Sequence, residues 1–315
     1  MVSKLWERDL RPPQELLLLG AAVKAGLFEA IKNGPLTEPE LAAITGSDAR
    51  SLWVVLEALI DAGYIQRDGE KVCLTPDAKD MFYNTDSEVY SDFSFMHGYE
   101  LCVSWLNLPE IIKTGTPVSK KKSGVALKSF IQSMAVHAKK MAPVIARDSL
   151  RGNGAGVKVL DIGGGPLTYA REFAALGASV TVLDLPEVVE LMKPNIKDDE
   201  RIEMLPGDLT VGLPPGPFGL AYLGNVCHIF DGEENKKLFL RVFDVLAPGG
   251  RIAVQDFVRG LSPRAAMFGV NMLVNTPRGG TWTMEQYAEW ISGAGFTDAE
   301  VKDYGERQLI IAVKQ

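Results

Sequence analysis

Apolar and polar positions change their rhythm along the 315 residues. The first part is helical in spacing. In "LTEPELAAIT", Thr37 is followed by Glu40 three positions later, a capping-box pattern, with Pro39 early in the helix. "GSDARSLWVVLEALIDAGYI" sets Leu52, Val55, Leu56, Leu59 and Ile60 at helical spacing, with Ser47 to cap the start and Gly63 to end it. Next, "YIQRDGEKVCLT" holds two short strand-like runs around Asp68-Gly69, a tight-turn signal. Helix, turn, helix and a two-stranded wing predict a winged helix over residues 1–85.

Residues 86–150 stay helical in texture and are rich in aromatics and Met, including Phe93, Phe95, Trp105, Phe130 and Met141. They read either as connector and core or as the apolar wall of a substrate pocket. Met96, His97, Trp105, Met134 and His137 are candidate substrate contacts there. Met267 and Asn271 of "MFGVNMLVN" are further candidates. "TGTPVSKKKSG", residues 114–124, reads as an exposed loop with solvated lysines.

From 151 to 315 strands and helices alternate. "VKVLDIG", "SVTVLDL", "IEMLPGD", "GLAYLGNVCHI" and "GRIAVQDF" are strand-like, and amphipathic helices separate most of them. Such alternation predicts an α/β domain with a parallel sheet covered on both faces. Ligands in such sheets bind outside the carboxyl ends of the strands.

Length suits about two domains. At 46% hydrophobic and 23% charged, the composition is that of an ordinary globular protein. The net charge of -7 argues against a polyanionic partner. Residues 1–85 hold nine Lys/Arg against thirteen Asp/Glu, so this region carries a net negative charge. DNA affinity rests largely on phosphate neutralisation, which leaves protein–protein contact, most simply a homodimer, as the expected role of that domain, with no nucleic acid as partner. The three cysteines are scattered and the three histidines lack metal-ligand spacing. The apolar run "LLLLG" is too short to span a membrane. A cytoplasmic protein with no metal and no membrane association is the expectation.

"KVLDIGGGPLTYA" carries the first chemical signal. An apolar run ends in Asp161, and Gly163, Gly164 and Gly165 follow. Glycines let a backbone approach a ligand closely. The dinucleotide fingerprint fails, since Thr168 stands where its third glycine belongs, and no Gly-Lys-Ser/Thr of a phosphate loop follows. Asp184 closes the second strand, where a carboxylate can accept both hydroxyls of a ribose. Asp208 closes the third, within reach of an adenine amino group. "VLAPGGRIAVQD" then turns a helix into a buried strand.

These features, in this order, resemble class I S-adenosylmethionine-dependent methyltransferases. With "LDIGGG", "LDLP", "GDL", "NVCHIFDGEE" and "LAPGG", the chain resembles the small-molecule O-methyltransferases typified by plant caffeate and bacterial polyketide enzymes. The resemblance implies a Rossmann-like seven-stranded sheet with the last strand antiparallel, drawn from "FTDAEVKDYGERQLIIAVK". A mostly helical winged-helix dimerisation domain would precede it. It implies S-adenosylmethionine as cofactor, S-adenosylhomocysteine as product and a small-molecule acceptor. Asp161, Gly163, Gly165, Asp184, Leu185, Asp208, Leu209 and Asn225 are the implied cofactor-binding positions. His228 is the implied base for the acceptor hydroxyl, with Asp256 as its orienting partner. Plant relatives carry a Glu at the Asp256 position, and the shorter Asp leaves room for a water in the contact. A second Glu of those relatives is replaced by Thr281, Leu167 stands where many relatives have another glycine, and Gly224 replaces a Lys. These departures keep a second reading open, a relative that methylates carbon or nitrogen or that binds the cofactor without methylating. The winged helix itself leaves a third, a DNA-binding regulator, which the acidic front opposes.

Overall fold

A computed structural model describes residues 11–117, 124–297 and 299–315, with the backbone alone for Val125. The first ten residues and the lysines at 120–122 of the expected exposed loop lie outside the described residues. The chain falls into two units that divide between Leu101 and Cys102.

The first unit holds α1 (Gln14–Lys24), α2 (Leu27–Ala30), β1 (Leu36–Thr37), α3 (Glu38–Thr45), α4 (Ala49–Asp61), β2 (Ile65–Asp68), β3 (Lys71–Leu74) and α5 (Pro76–Phe82). Its strands form an antiparallel sheet in the order β1-β3-β2. The capping box forms at α3: the Thr37 side chain accepts from the Glu40 N–H, and Glu40 Oε2 accepts from the Thr37 N–H at 2.8 Å. At α4 the cap is Asp48, not Ser47. Asp48 Oδ1 accepts from the Ser51 N–H at 2.9 Å, while the Ser47 hydroxyl pairs with Thr45 Oγ1. The wing turns one residue later than the sequence suggests. Asp68 pairs with Lys71, so Gly69 and Glu70 make the turn, with Gly69 at φ +62°.

Leu52, Leu56 and Leu59 of α4 are buried in the core of this unit, and Trp53 and Val54 on the same helix are half exposed. Phe82 is the hub of an aromatic cluster. Phe28, Phe93, Phe95, Tyr64 and Tyr83 all lie within 6.4 Å of its ring centre. Phe93 and Phe95 therefore belong to the first core, which is why this unit runs past residue 85.

α6 (Phe95–Trp105) spans the division. The second unit continues with α7 (Leu108–Thr114), α8 (Gly124–Lys139), α9 (Ala142–Ser149), β4 (Lys158–Ile162), α10 (Thr168–Ala175), β5 (Ser179–Asp184), α11 (Pro186–Met192), β6 (Ile202–Pro206), β7 (Phe218–Gly224), α12 (Gly232–Val245), β8 (Leu246–Asp256), α13 (Ala265–Asn275), α14 (Met284–Gly293), β9 (Glu300–Asp303) and β10 (Gln308–Val313). The sheet order is β6-β5-β4-β7-β8-β10-β9. The first five strands in that order are parallel, and β10 runs antiparallel between β8 and β9. This is the expected seven-stranded, Rossmann-like sheet.

Both faces of the sheet are buried, as parallel strands require. One core packs α12 and α14 against Leu160, Ile162, Leu223 and Val254. The other packs α9 and α10 against Val159, Val182, Leu220 and Ala253. Side chains alternate along a strand, so Asp161 shares the face of Val159, inside an otherwise apolar run. β7 stops at Gly224, and Cys227–Ile229 form a short 3-10 turn instead of continuing the strand. The carboxyl ends of β4, β5, β7 and β8 thus lie along one edge, each followed by a loop with a polar residue. Among the described residues no helix is long and apolar enough to cross a membrane.

Replacing Phe82 with Ala removes the centre of the aromatic cluster. The expected cost is about 3–5 kcal/mol of unfolding free energy, measured by denaturant titration. A cost below about 1 kcal/mol would show that the cluster does not hold the first unit together.

Candidate active site

A cavity of about 480 Å³ opens at the carboxyl edge of β4, β5 and β7. Asp161, Gly163, Gly165, Asp184, Leu185, Asp208, Leu209 and Asn225, the eight positions singled out in the sequence, all line it. The glycine loop makes its floor. Gly163 lies at φ +72°. A Cβ on Gly164 would fall 2.4 Å from Asp161 Oδ2, so only glycine lets the loop pass the carboxyl group. Leu167 ends the loop at φ +63°, a left-handed conformation unusual for Leu. Its side chain is fully buried in the core beneath α9 and α10, and that burial holds the backbone there. At Gly224, a side chain would meet the Tyr222 ring at 2.8 Å, so a Lys has no room in this arrangement.

The three carboxyl groups differ in surroundings. Asp161 is 1% exposed, and neither side-chain oxygen has a hydrogen-bond partner. Burial, with the nearby Asp184 charge, pushes its carboxyl up to about 8. Asp184 accepts from the Gly165 N–H and the Leu185 N–H, each at 2.8 Å. Its carboxyl is also raised by burial, which these two N–H groups oppose. Asp208 accepts from the Thr210 N–H and hydroxyl, and these bonds hold it below its ordinary value.

His228 sits on the 3-10 turn after β7, and Asp256 is the last residue of β8. Both are buried. Asp256 Oδ1 lies 2.7 Å from His228 Nδ1, so the contact is direct and no water separates them. Asp256 also accepts from the His228 and Phe257 N–H groups and from the Tyr287 hydroxyl. Pairing at Nδ1 leaves Nε2 as the ring's other functional atom. The ring packs edge-on against Phe268 at 4.8 Å, and Phe268 stacks on Phe257 at 4.1 Å. The turn itself is pinned. The Cys227 carbonyl accepts from Asn235 Nδ2 and Trp282 Nε1, and the His228 carbonyl accepts from the Gly280 N–H. A Cβ on Gly279 would lie 2.4 Å from that His228 carbonyl oxygen, so "RGGTW" is shaped to press on this turn. His228 is not itself part of the cavity wall, but its neighbours Val226, Ile229 and Phe230 are.

The remaining candidates scatter. Met134 lines the cavity from α8, with Leu127, Phe130, Ile131 and Ala138 on the same helical face. Trp105 Nε1 donates to Asn271 Oδ1 at 3.2 Å. His137 is bonded to the Ser133 carbonyl of its own helix, and Met267 is 64% exposed. Met96 and His97 lie in the first unit. Thr281 donates to the Ala265 carbonyl and accepts from Arg259, so it works as a structural tie rather than a short Glu. Sequence reading missed Arg307 and the Tyr222–Gln255 bond at 2.5 Å. Nothing in local spacing marks them, because each acts across strands that are distant in sequence.

The Asp161 carboxyl yields a test that needs no ligand. Tyr169, Tyr222 and Asp184 are the titratable groups that face it. Since the folded chain binds this proton more tightly than the unfolded chain, the stabilisation is full below about pH 4 and is lost as pH rises toward about 8. Asp161→Asn removes the dependence. Denaturant titrations from pH 5 to 8 should show the variant gaining on the wild type as pH rises. A difference that stays constant with pH would sink the assignment.

The chain matches the O-methyltransferase domain family over residues 126–297. The 3-hydroxy-5-methyl-1-naphthoate 3-O-methyltransferase of Streptomyces sahachiroi is 25% identical over 323 residues, covering 94% of this chain and 91% of that one. In fold, the chain is similar to human N-acetylserotonin methyltransferase in complex with S-adenosylmethionine, with a TM-score of 0.72 at 22% identity over 96% and 94% of the two chains. It is equally similar to an O-methyltransferase from neocarzinostatin biosynthesis in complex with S-adenosylmethionine and 2-hydroxy-5-methyl naphthoic acid, with a TM-score of 0.72 at 21% identity over 99% and 100%. The cavity fits that cofactor's chemistry: a buried carboxyl without a partner, a glycine floor that a side chain would fill, and two further carboxyl groups at neighbouring strand ends. The chain belongs to the O-methyltransferase domain family and is an S-adenosylmethionine-dependent methyltransferase.

Proposed function

We propose that the enzyme methylates a hydroxyl of a small aromatic or polyketide-like molecule, with His228 as the general base. The observation that supports this reading is the Asp256–His228 Nδ1 contact of 2.7 Å, which leaves Nε2 as the ring atom that would serve the acceptor. When bound, S-adenosylmethionine supplies an electrophilic sulfonium methyl group and leaves as S-adenosylhomocysteine. The residues of the chain do the rest. Asp184 would hold the ribose hydroxyls and Asp208 the adenine amino group, while Gly163–Gly165 leave room for the methionine part beside Asp161. Asp256 fixes the imidazole tautomer and its plane, and Phe268 restrains the ring's tilt. A phenol with pKa near 10 is mostly neutral at pH 7, and its oxygen is a better nucleophile as His228 Nε2 takes the proton. Help of this kind contributes roughly 10² to 10⁴ in rate, and alignment of the two reactants supplies much of the remainder.

The Streptomyces relative's hydroxynaphthoate and the naphthoic acid bound by the neocarzinostatin enzyme support an aromatic acceptor. Apolar Leu127, Phe130 and Met134 along one wall suit such a molecule. The winged-helix unit is proposed to form a homodimer. Ile44, Trp53 and Val54 are exposed apolar side chains on its helices, and its net negative charge opposes DNA.

Two measurements test the reading. Calorimetry should show S-adenosylmethionine binding to the wild type and not to Asp184→Ala; equal binding by both would remove Asp184 from the site. His228→Ala should keep its affinity for S-adenosylhomocysteine within about threefold while turnover of a hydroxylated aromatic acceptor falls roughly 10² to 10⁴-fold. Unchanged turnover would end the base assignment. Mass and NMR analysis of the product would separate oxygen from carbon or nitrogen methylation.

A further inference from the structure

Arg307 lies in the hairpin between β9 and β10, one residue before Gln308, the cross-strand partner of Asp256. Its guanidinium makes two contacts toward the site. Nε donates to Asn225 Oδ1 at 3.0 Å, and the guanidinium carbon stands 4.3 Å from the centre of the Phe257 ring. Its partners here are an amide oxygen and a ring face, not a carboxylate.

The first contact decides an orientation. A guanidinium only donates, so the Asn225 amide must turn its oxygen toward Arg307. The amide NH2 is then left for the cavity that Asn225 lines. Asn225 is itself held at φ +59°, a left-handed conformation that Asn tolerates better than most residues, and its N–H donates to the Gln255 carbonyl. Backbone and side chain are thus both fixed, one by β8 and the other by Arg307. The second contact clamps Phe257, which stacks on Phe268, the ring packed against His228. One side chain from the terminal hairpin therefore braces the cavity wall and the ring stack on the imidazole.

We propose that Arg307 is a positioning residue: it presents the Asn225 amide to the cofactor cavity as a hydrogen-bond donor, for an oxygen acceptor on the bound cofactor such as its carboxylate. This rests on the cavity being the S-adenosylmethionine site.

The test is a double-mutant cycle read by calorimetry with S-adenosylhomocysteine. Arg307→Met keeps the stem and removes the donors, and should weaken binding roughly tenfold, the size of a lost charge-assisted bond. Arg307→Lys should recover part of that loss. Asn225→Ala should weaken binding by a similar factor, and the double variant should be no weaker than either single one. Additive losses would mean that Arg307 acts by some route other than Asn225 and would overturn the proposal, as would unchanged affinity in Arg307→Met. Asn225→Asp decides the matter independently if Arg307→Met does not fold. An Asp keeps the tie to Arg307 but has no N–H to offer the cavity, so it should bind no better than Asn225→Ala. Wild-type affinity in Asn225→Asp overturns the proposal. Absence of binding by the wild type would overturn the cofactor site itself and this inference with it.

Discussion

Asp256 gathers four donors from two elements besides its own. The ring and backbone of His228 come from the turn after β7, the Phe257 N–H from the end of β8, and the hydroxyl of Tyr287 from α14. A carboxylate has about four lone-pair sites, so it is close to fully occupied. Burying such a group without these partners would cost several kcal/mol. The arrangement around it follows from that constraint. β7 must stop where it does, the 3-10 turn must bring the His228 N–H back toward β8, and Tyr287 must sit where α14 crosses the sheet. The imidazole orientation is one result of satisfying this single buried charge.

Asp161, on β4 across the intervening β7, shows the opposite solution. It is as deeply buried, but no donor reaches it. One carboxyl group is stabilised by the fold and the other is left at the fold's expense. Binding sites store free energy in this way, by leaving a polar group unsatisfied until a ligand supplies what is missing. The two strand ends therefore divide the work: β8 offers a finished hydrogen-bond centre, and β4 an unfinished one.

Much of this was readable in the sequence because its causes are local. The capping box at Thr37 and Glu40, the strand–loop–helix order from Lys158 onward and the polar residue after each parallel strand all depend on neighbours in the chain. Of the eight cavity residues, the glycines, Asp184 and Asp208 were legible from the strand ends that the topology brings to one edge, and the others came with the family resemblance. The failures were also physical. Asp48 caps α4 in place of Ser47 because the helix starts at Ala49, which puts the Ser51 N–H three residues beyond Asp48, while the Ser47 hydroxyl pairs with Thr45. Asp68 stayed paired, so the wing turned at Gly69. The shorter Asp256 needed no water because the 3-10 turn moves His228 toward it, and such a turn has no distinctive spacing. Arg307 was invisible because its role exists only once β10 has inserted beside β8.

Leu167 sets two demands against each other. Its backbone conformation suits glycine, while its side chain fills a core that glycine would leave hollow. Neither demand can be met better by changing this position alone. A glycine would become acceptable only after a larger residue elsewhere had filled the space, and a β-branched residue would fit neither backbone nor core. Descent from a glycine-bearing ancestor would therefore have needed the core to change together with the loop, and the order of those steps would have been constrained. Sequence change in this cofactor loop is tied to change beneath it, so the loop and the α9–α10 core are expected to drift as a pair.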